Sequence, residues 1–376
     1  MADLFDLFVA CLPGLEEFVA AECRALDVPP ESFRVGDGGV ALRGDRRAIA
    51  RLNLGLACAS HVLVRVERFR ARHFGELERK AMQVDWRAWL RDDVPFAVRA
   101  AARQSRLLHT GGLAERVAVA IATAIGNEPG GEGEPVTVLV RMADDLCTLS
   151  IDTSGRPLHE RGWRLETAKA PLREDLAAAL IRASGWSTAT PFVDPTCGSG
   201  TIAIEAARLA RRIAPGRDRS FAAERVVPLA DGLMEAVRAE FAALELSRAL
   251  APIHASDRDA GAVAITSRNA ERAGVGAELV VEHASLSAAS GLRLTAASGA
   301  VVCNPPFGHR IGSADRLGPL WQALGARIKA LGPGWSAAFL AADRRAALRT
   351  GLPLVSAFLT DHGGIKVRGL VTRAPA

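Results

Sequence analysis

Apolar residues recur along the chain at two spacings, and the alternation between them outlines its elements. Near the start, "LFDLFVAC" reads as a strand and "LPGLEEFVAAECRALD" is apolar at helical spacing after a Pro-Gly turn. "GGVALRG" is a short strand between glycines and "DRRAIARLNLGLA" returns to helix, so residues 1–60 read as a small α+β module. From His61 the pattern predicts a long strand in "HVLVRVERFRAR" and one helix over "FGELERKAMQVDWRAWL". A strand in "PFAVRAAAR", a helix in "GGLAERVAVAIATAIG" and a strand hairpin in "VTVLVRMADDLCTLSID" follow, with a loop rich in Gly, Glu and Pro over Gly126–Pro135. The polar, turn-rich "SGRPLHERGWRLETAKAP" marks a boundary near 155–170.

Beyond that boundary strands and helices alternate through "PFVDPTCGSGTIAIEAARLARR", "APIHASDRDAGAVAITSRNAERAG", "AELVVEHASL", "SGAVVCNPPFG" and "WSAAFLAAD". Apolar strands alternating with helices imply an α/β domain with a parallel sheet covered on both faces. The closing "VSAFLTDHGGIKVRGLVTR" differs: two strands around His362-Gly363-Gly364 predict an antiparallel hairpin at the sheet's edge.

Three strand ends hold the candidate chemistry. In "FVDPTCGSGTIAIEAA" a strand meets a glycine turn and then a helix. Gly198 and Gly200 permit close backbone approach, and the helix N-terminal amides offer donors to a polar ligand. Gly198-x-Gly200-x-x-Ala203 also satisfies the dinucleotide fingerprint, and a tight turn with no ligand reads the same way. Asp194, at the strand's end, suits a cationic amino group better than a pyrophosphate. In "IHASDRDA", Asp257 ends the next strand, a position from which a carboxylate accepts both ribose hydroxyls. It falls 59 residues after Gly198 (257 − 198), against about 20 in a dinucleotide fold. A long helix and the Arg-rich "RLARRIAPGRDRSFAAER" fill the gap.

The third end is "CNPPFG", residues 303–308, directly after the apolar "SGAVV". Prolines cannot donate to a sheet ladder, so the segment is a stiff, extended loop whose carbonyls are free to accept. Its groups suit a planar base with an exocyclic amine. The Asn304 amide oxygen and the Pro305 carbonyl could take that amine's two hydrogens and leave its lone pair aimed at an electrophile. The Phe307 ring could stack on the base, worth about 1–3 kcal/mol.

Composition narrows the classes. A net charge of +5 and pI near 9.1 point to an anionic partner more than to a membrane. No apolar run approaches the ~18 residues of a membrane span, and "MADLFDLFVACLPGLEEF" lacks the basic start of a signal peptide. Cysteines 11, 23, 58, 147, 197 and 303 form no CxxC pair, so no metal site is expected and reduced thiols in the cytoplasm are the default.

Together "DPTCGSGT", "SDRD" and "NPPFG" resemble class I S-adenosylmethionine-dependent methyltransferases that modify amino groups. In order and spacing the chain is similar to the THUMP-domain RNA guanine-N2 methyltransferase family, especially the N-terminal half of the bacterial 23S rRNA enzyme. "GLEEFVAAE", "GGVALRGD", "PFAVRAAARQSRLLHTG", "SGRPLHERGWR", "AKAPLREDLAAALIRASGW" and "APGRDRSF" extend the likeness over essentially the whole chain. The resemblance implies a Rossmann-like seven-stranded class I methyltransferase domain with an antiparallel final hairpin over 166–376. A ferredoxin-like module (1–60) and a THUMP RNA-binding domain (61–155) would precede it.

The cofactor implied is S-adenosyl-L-methionine. Asp194, Gly198 and Gly200 would line its methionine part and Asp257 would hold its ribose, with Pro195, Cys197, Ser199, Thr201, Arg258 and Ser285 also among the cofactor-binding residues. Ser285 stands where an Asp often contacts the adenine, and Phe307 where Tyr is commoner. Asn304, Pro305, Pro306 and Phe307 would receive the target base. The family's further C-terminal methyltransferase half has no counterpart here, so one of the fused enzyme's two reactions is implied.

The partner implied is RNA, with rRNA favoured over tRNA by the resemblance. Residues 1–165 hold 22 Lys+Arg against 23 Asp+Glu, but residues 51–110 hold 12 against 6, so basic charge is local. Arg103, Arg106 and His109 are the RNA contacts implied by the likeness to THUMP. Rival readings are a tRNA guanine-N2 enzyme, an adenine-N6 methyltransferase, and an RNA-binding assembly factor with weak catalysis. A nicotinamide dehydrogenase explains the glycines and leaves "NPPF" without a role.

Overall fold

The computed structural model describes residues 4–28, 33–167, 171–306 and 314–372. They divide into two compact units that interleave along the chain. The first comprises Met1–Cys11, Val19–Leu158 and Arg219–Glu240; the second comprises Leu12–Phe18, His159–Asp218 and Phe241–Ala376.

In chain order the elements up to Leu158 are β1 (Phe5–Cys11), α1 (Glu16–Ala25), β2 (Arg34–Gly36), β3 (Gly39–Gly44), α2 (Arg46–Gly55) and β4 (Ala59–Arg70). They continue with α3 (Phe74–Ala81), β5 (Phe96–Arg103), α4 (Thr110–Ile125), β6 (Val136–Ala143) and β7 (Leu146–Asp152). The strands make one seven-stranded sheet, ordered β2-β3-β1-β4-β7-β6-β5, antiparallel except for β5 against β6. Strand alternation sets one buried face, with Leu7, Val9, Val62, Val138, Val140 and Leu149 at 0–1 % exposure. Asp45 caps α2 by accepting from the Ala48 amide at 2.8 Å.

The single helix predicted over residues 74–90 is instead two pieces. α3 ends at Ala81, and a 3-10 turn follows at Trp86–Ala88, where Asp85 accepts from the Ala88 amide at 3.3 Å. The buried Trp86 indole donates to the Ala81 carbonyl at 2.9 Å, taking up an acceptor at the helix end. The segment Arg219–Glu240 joins this unit through backbone pairing: Ala223 N–H donates to Thr153 O at 2.8 Å and Val227 N–H to Trp89 O at 3.0 Å. Arg219 adds a bond to Pro157 O at 2.6 Å.

From His159 on, the elements are α5 (Glu174–Ala183), β8 (Phe192–Asp194), α6 (Thr201–Ala210), α7 (Leu233–Ala243), β9 (Ile253–Asp257), α8 (Ala260–Arg272) and β10 (Leu279–His283). β11 (Gly299–Cys303), α9 (Ala314–Leu331), β12 (Trp335–Ala341), α10 (Arg344–Leu348), β13 (Leu354–His362) and β14 (Ile365–Thr372) complete the chain. Most of α7 falls in the first unit; the rest build the second around a sheet ordered β10-β9-β8-β11-β12-β14-β13. Its first five strands run parallel and β14 and β13 antiparallel, as the closing hairpin predicted. Gly363 (φ +57°) and Gly364 (φ +80°) make the two-residue turn, which needs positive φ at both positions.

After β10 the chain returns across the sheet to place β11 beside β8. That reversal makes the carboxyl ends of the central strands a topological switch point, the place where open α/β sheets hold ligands. The sheet is anchored by Trp321 and Phe339, edge to face at 5.5 Å in the core that also holds Val301 and Leu324. Behind α6, Glu205 meets the buried Arg161 guanidinium through two 3.4 Å contacts. Removing one partner leaves a buried charge uncompensated, so Arg161→Met is expected to cost about 3–5 kcal/mol. A thermal melt that stays within 2–3 °C of the parent would contradict it.

Candidate active site

Strand register brings the three candidate ends together. β8 pairs with β9 with Asp194 opposite Ala255, and with β11 with Val193 opposite Val301. Asp257 and Asn304 therefore each lie two residues beyond the level of Asp194, on the strands to either side. On the far side of β9, His283 of β10 stands opposite Asp257.

The turn between β8 and α6 is fixed from several directions. Gly198 (φ +56°) donates its N–H to Asp257 Oδ2 at 3.0 Å, and Asp257 Oδ1 accepts from Asp259 N–H at 3.0 Å. One carboxylate thus ties the second strand end to the glycine turn and keeps a free lone pair on each oxygen for hydroxyl donors. A Cβ at Gly198 would meet nothing within 4 Å, so the turn presents bare backbone to open space. Gly200 (φ +86°) precedes α6, and a Cβ there would stand 2.8 Å from Thr266 Cγ2. Gly200→Ala is expected to cost about 1–3 kcal/mol through strain and clash, read as a lower thermal midpoint together with weaker cofactor binding. Thr201 Oγ1, in the first turn of α6, is buried with no hydrogen-bond partner among the described residues.

Asp194 is 1 % exposed. It accepts from the Thr196 amide at 3.3 Å and meets no cation among the described residues. Burial pushes its carboxyl up to about 8, and the nearby Asp257 charge adds to the rise. Such a group is a ready counterpart for a cationic ligand, whose charge would restore its ionised form. Pro195, Cys197 and Ser199 are buried in the same turn. Burial raises the Cys197 and Cys303 thiols well above their usual range, so neither is a nucleophile at neutral pH.

Asn304 follows β11 directly. Its Oδ1 is shut off from solvent and has no hydrogen-bond partner among the described residues. An unmatched buried amide oxygen costs about 1–3 kcal/mol, which an amine donor at this strand end would recover. Pro305 is buried and Pro306 exposed. Phe307 lies outside the described residues.

The remaining sequence candidates are exposed. Arg258 is exposed, with its carbonyl 3.0 Å from His283 Nε2. Ser285 is exposed beyond β10, its hydroxyl 2.9 Å from Ser287 Oγ. Arg103, Arg106 and His109 are exposed in the first unit, where His109 Nδ1 accepts from Gly112 N–H at 2.8 Å and so caps α4.

Two supports of the glycine turn escaped sequence reasoning. Thr266 Oγ1 donates to Gly198 O at 2.9 Å, and Asn269 Nδ2 donates to Ser199 O at 3.1 Å and to Glu166 O at 3.0 Å. Both side chains are fully buried on the inner face of α8. The available signal was polar residues on the apolar face of "DAGAVAITSRNAERAG". A cavity of about 620 Å³ lined by Trp186, Gly299, Lys329 and Trp335 lies at the opposite, amino ends of the strands and includes no candidate residue. Among the described residues, no group of three or more His, Cys, Asp or Glu is placed to hold a metal, and no helix is long and apolar enough to cross a membrane.

Comparison with known proteins matches this architecture piece by piece. The RlmL ferredoxin-like domain matches residues 6–63, the THUMP domain 71–152, and the RMKL-like methyltransferase domain 161–351. "Putative RNA methyltransferase YpsC" of Bacillus subtilis is 32% identical over 346 residues, covering 90% of this chain and 88% of that protein. "Ribosomal RNA large subunit methyltransferase K/L" of Methylococcus capsulatus is 32% identical over 362 residues, 92% of this chain. The chain spans 48% of that longer protein. The crystal structure of SMU.472, "a putative methyltransferase complexed with SAH", superposes with a TM-score of 0.88 at 28% identity, over 100% of both chains. With Asp194, the glycine turn, Asp257 and Asn304 at adjoining strand ends, the chain belongs to the RMKL-like methyltransferase family, with ferredoxin-like and THUMP domains ahead of its class I methyltransferase fold.

Proposed function

We propose that this RNA methyltransferase transfers the methyl group of S-adenosyl-L-methionine to the exocyclic N2 amine of a guanosine in 23S rRNA. The observation that carries this reading is the unmatched Asn304 Oδ1 at the end of β11, on the strand beside Asp194. S-adenosylmethionine is the cofactor, and it supplies an electrophilic methyl group on a sulfonium. The residues present fit it: Asp194 is a buried acid without a cation, Gly198 offers bare backbone, and Asp257 has acceptors to spare.

The chain's own part is positioning. Asp194 holds the donor's amino group and Asp257 its ribose hydroxyls. Asn304 Oδ1 and the Pro305 carbonyl accept the two hydrogens of the target amine and turn its lone pair toward the methyl carbon. Bound there, the donor would supply its methyl group to the amine nitrogen, the sulfur retaining the electron pair of the C–S bond, and the amine's surplus proton would pass to solvent. Holding reactants at near-attack distance can supply about 7–11 kcal/mol of the barrier, so no strong base is required. The base must leave its stack to reach a site of this kind.

The choice of 23S rRNA is supported by the printed name of the K/L relative and by the RlmL-type ferredoxin-like domain, while the THUMP domain supports RNA as the substrate class. It is tested by adding the purified protein and methyl-labelled cofactor to separated 23S rRNA and tRNA from a strain lacking this gene. Label is expected in the 23S fraction; label confined to tRNA would refute the choice.

A further inference from the structure

The register of the first sheet assembles a basic surface from strands far apart in sequence. Asp6 of β1 stands opposite Arg43 of β3 and Arg65 of β4. Arg65 stands opposite Ser150 of β7, Ser150 opposite Leu139 of β6, and Leu139 opposite Arg99 of β5. One row further along, Arg68 faces Thr148, Thr148 faces Arg141 and Arg141 faces Ala101. Arg103 follows Ala101 by two and so shares that face. Directly opposed residues point to one side of a sheet, so Arg43, Arg65, Arg68, Arg99, Arg103 and Arg141 all lie on the face away from the apolar core.

The charges on this face do not cancel. Its two carboxylates are engaged: Asp6 lies 3.5 Å from Arg65, and Asp152 lies 2.8 Å from His61 Nδ1. Arg68, Arg99, Arg103 and Arg141 are exposed and form no ion pair among the described residues. Arg65, Arg99 and Arg141 rim a hollow of about 250 Å³ floored by Phe8, Leu63 and Thr148. Burial lowers the Arg65 pKa; Asp6 opposes this, and the Arg68 and Arg141 charges lower it further. Like charges gathered around a hollow raise the energy of the empty protein, and an anion relieves it.

We propose that this sheet face, with the Arg65–Arg99–Arg141 hollow at its centre, binds the phosphate backbone of the RNA substrate. The inference rests on the RNA reading above and names the surface that does the holding. From β4 to β5 the cations span three strand spacings, about 14 Å, which suits a chain of phosphates better than a single small anion. Sheet faces that read bases carry exposed aromatic rings to stack them. Here the Phe8 ring is covered by the Arg65 guanidinium at 4.6 Å. The face therefore grips RNA without reading sequence, leaving base selection to the strand ends of the second unit.

The test uses the full chain and deproteinised 23S rRNA from a strain lacking this gene, with affinity measured across a salt series. The double variant Arg99→Glu/Arg141→Glu should bind at least tenfold more weakly, with a log–log salt slope shallower by ~1.5, as for two lost phosphate contacts. Arg24→Glu/Arg79→Glu, the same charge change on α1 and α3, should bind within threefold of the parent. Parental circular dichroism and thermal midpoint in both variants verify that the first unit folds, and unchanged S-adenosylmethionine affinity that the second does. Parental affinity in the first variant, or an equal loss in the second, overturns the proposal. A parent that binds no RNA at all overturns the functional reading itself.

Discussion

Replacing Asn304 with alanine is expected to lower the rate of methyl transfer at least 100-fold while S-adenosylmethionine affinity stays within about threefold. The split follows from where the amide sits. Its oxygen is buried with no hydrogen-bond partner among the described residues, so on the proposed reading its hydrogen bond is made when the target amine arrives. It follows β11, whereas the turn and carboxylates proposed to hold the donor belong to β8 and β9. Losing an acceptor used mainly in the reactive arrangement costs rate more than donor binding, and misplacement of about 1 Å can cost 100-fold. Asn304→Asp keeps an acceptor at that position and should retain more activity than alanine. Single-turnover rates set beside calorimetric cofactor titrations check the split. A fall in cofactor affinity matching the fall in rate would assign Asn304 to donor binding instead.

Asp194→Asn is expected to weaken S-adenosylmethionine binding by about 10–100-fold and to flatten its pH dependence. With its pKa pushed up to about 8, Asp194 is protonated in the empty protein at neutral pH. Pairing with the donor's ammonium requires the carboxylate, so binding releases a proton and tightens with pH, at most about tenfold per unit. The rise should run from about pH 5 to 7 and level off near 8, where an α-amino group begins to lose its own charge. For folding the sign reverses. The folded protein keeps a proton that the unfolded chain gives up above about pH 4, so this group's contribution to stability declines between about 4 and 8. The asparagine variant lacks both trends and should melt no lower than the parent at pH 8. Affinity in the variant that still climbs with pH would place the responsible acid elsewhere.

The sequence carried the fold a long way because its signals are local. Apolar strands separated by helical stretches specify a parallel sheet, and two glycines after His362 specify the closing turn. The three strand-end stretches could be picked out because Asp194, the glycines, Asp257 and Asn-Pro-Pro each have chemistry that packing alone does not explain. What stayed hidden depends on tertiary contact. Thr266 and Asn269 look like ordinary polar helix residues until α8 lies against the glycine turn. Helical spacing continues past Ala81, and only the buried Trp86 and the Asp85 cap show where α3 stops. The place of Arg219–Glu240 in the first unit rests on backbone bonds to residues that precede it by 70 (Ala223 to Thr153) and 138 (Val227 to Trp89). The arginine face draws on residues from 43 to 141, and no linear window displays it.

The paired acceptors Asn304 and Pro305 are read here as a grip on a guanine amine, and product identity tests that grip most directly. 23S rRNA from a strain lacking this gene would be methylated by the purified protein, digested to nucleosides and resolved by mass spectrometry. Appearance of N2-methylguanosine, lost with Asn304→Ala, is the outcome this account predicts. N6-methyladenosine as the product, or N2-methylguanosine formed undiminished by the alanine variant, would contradict it.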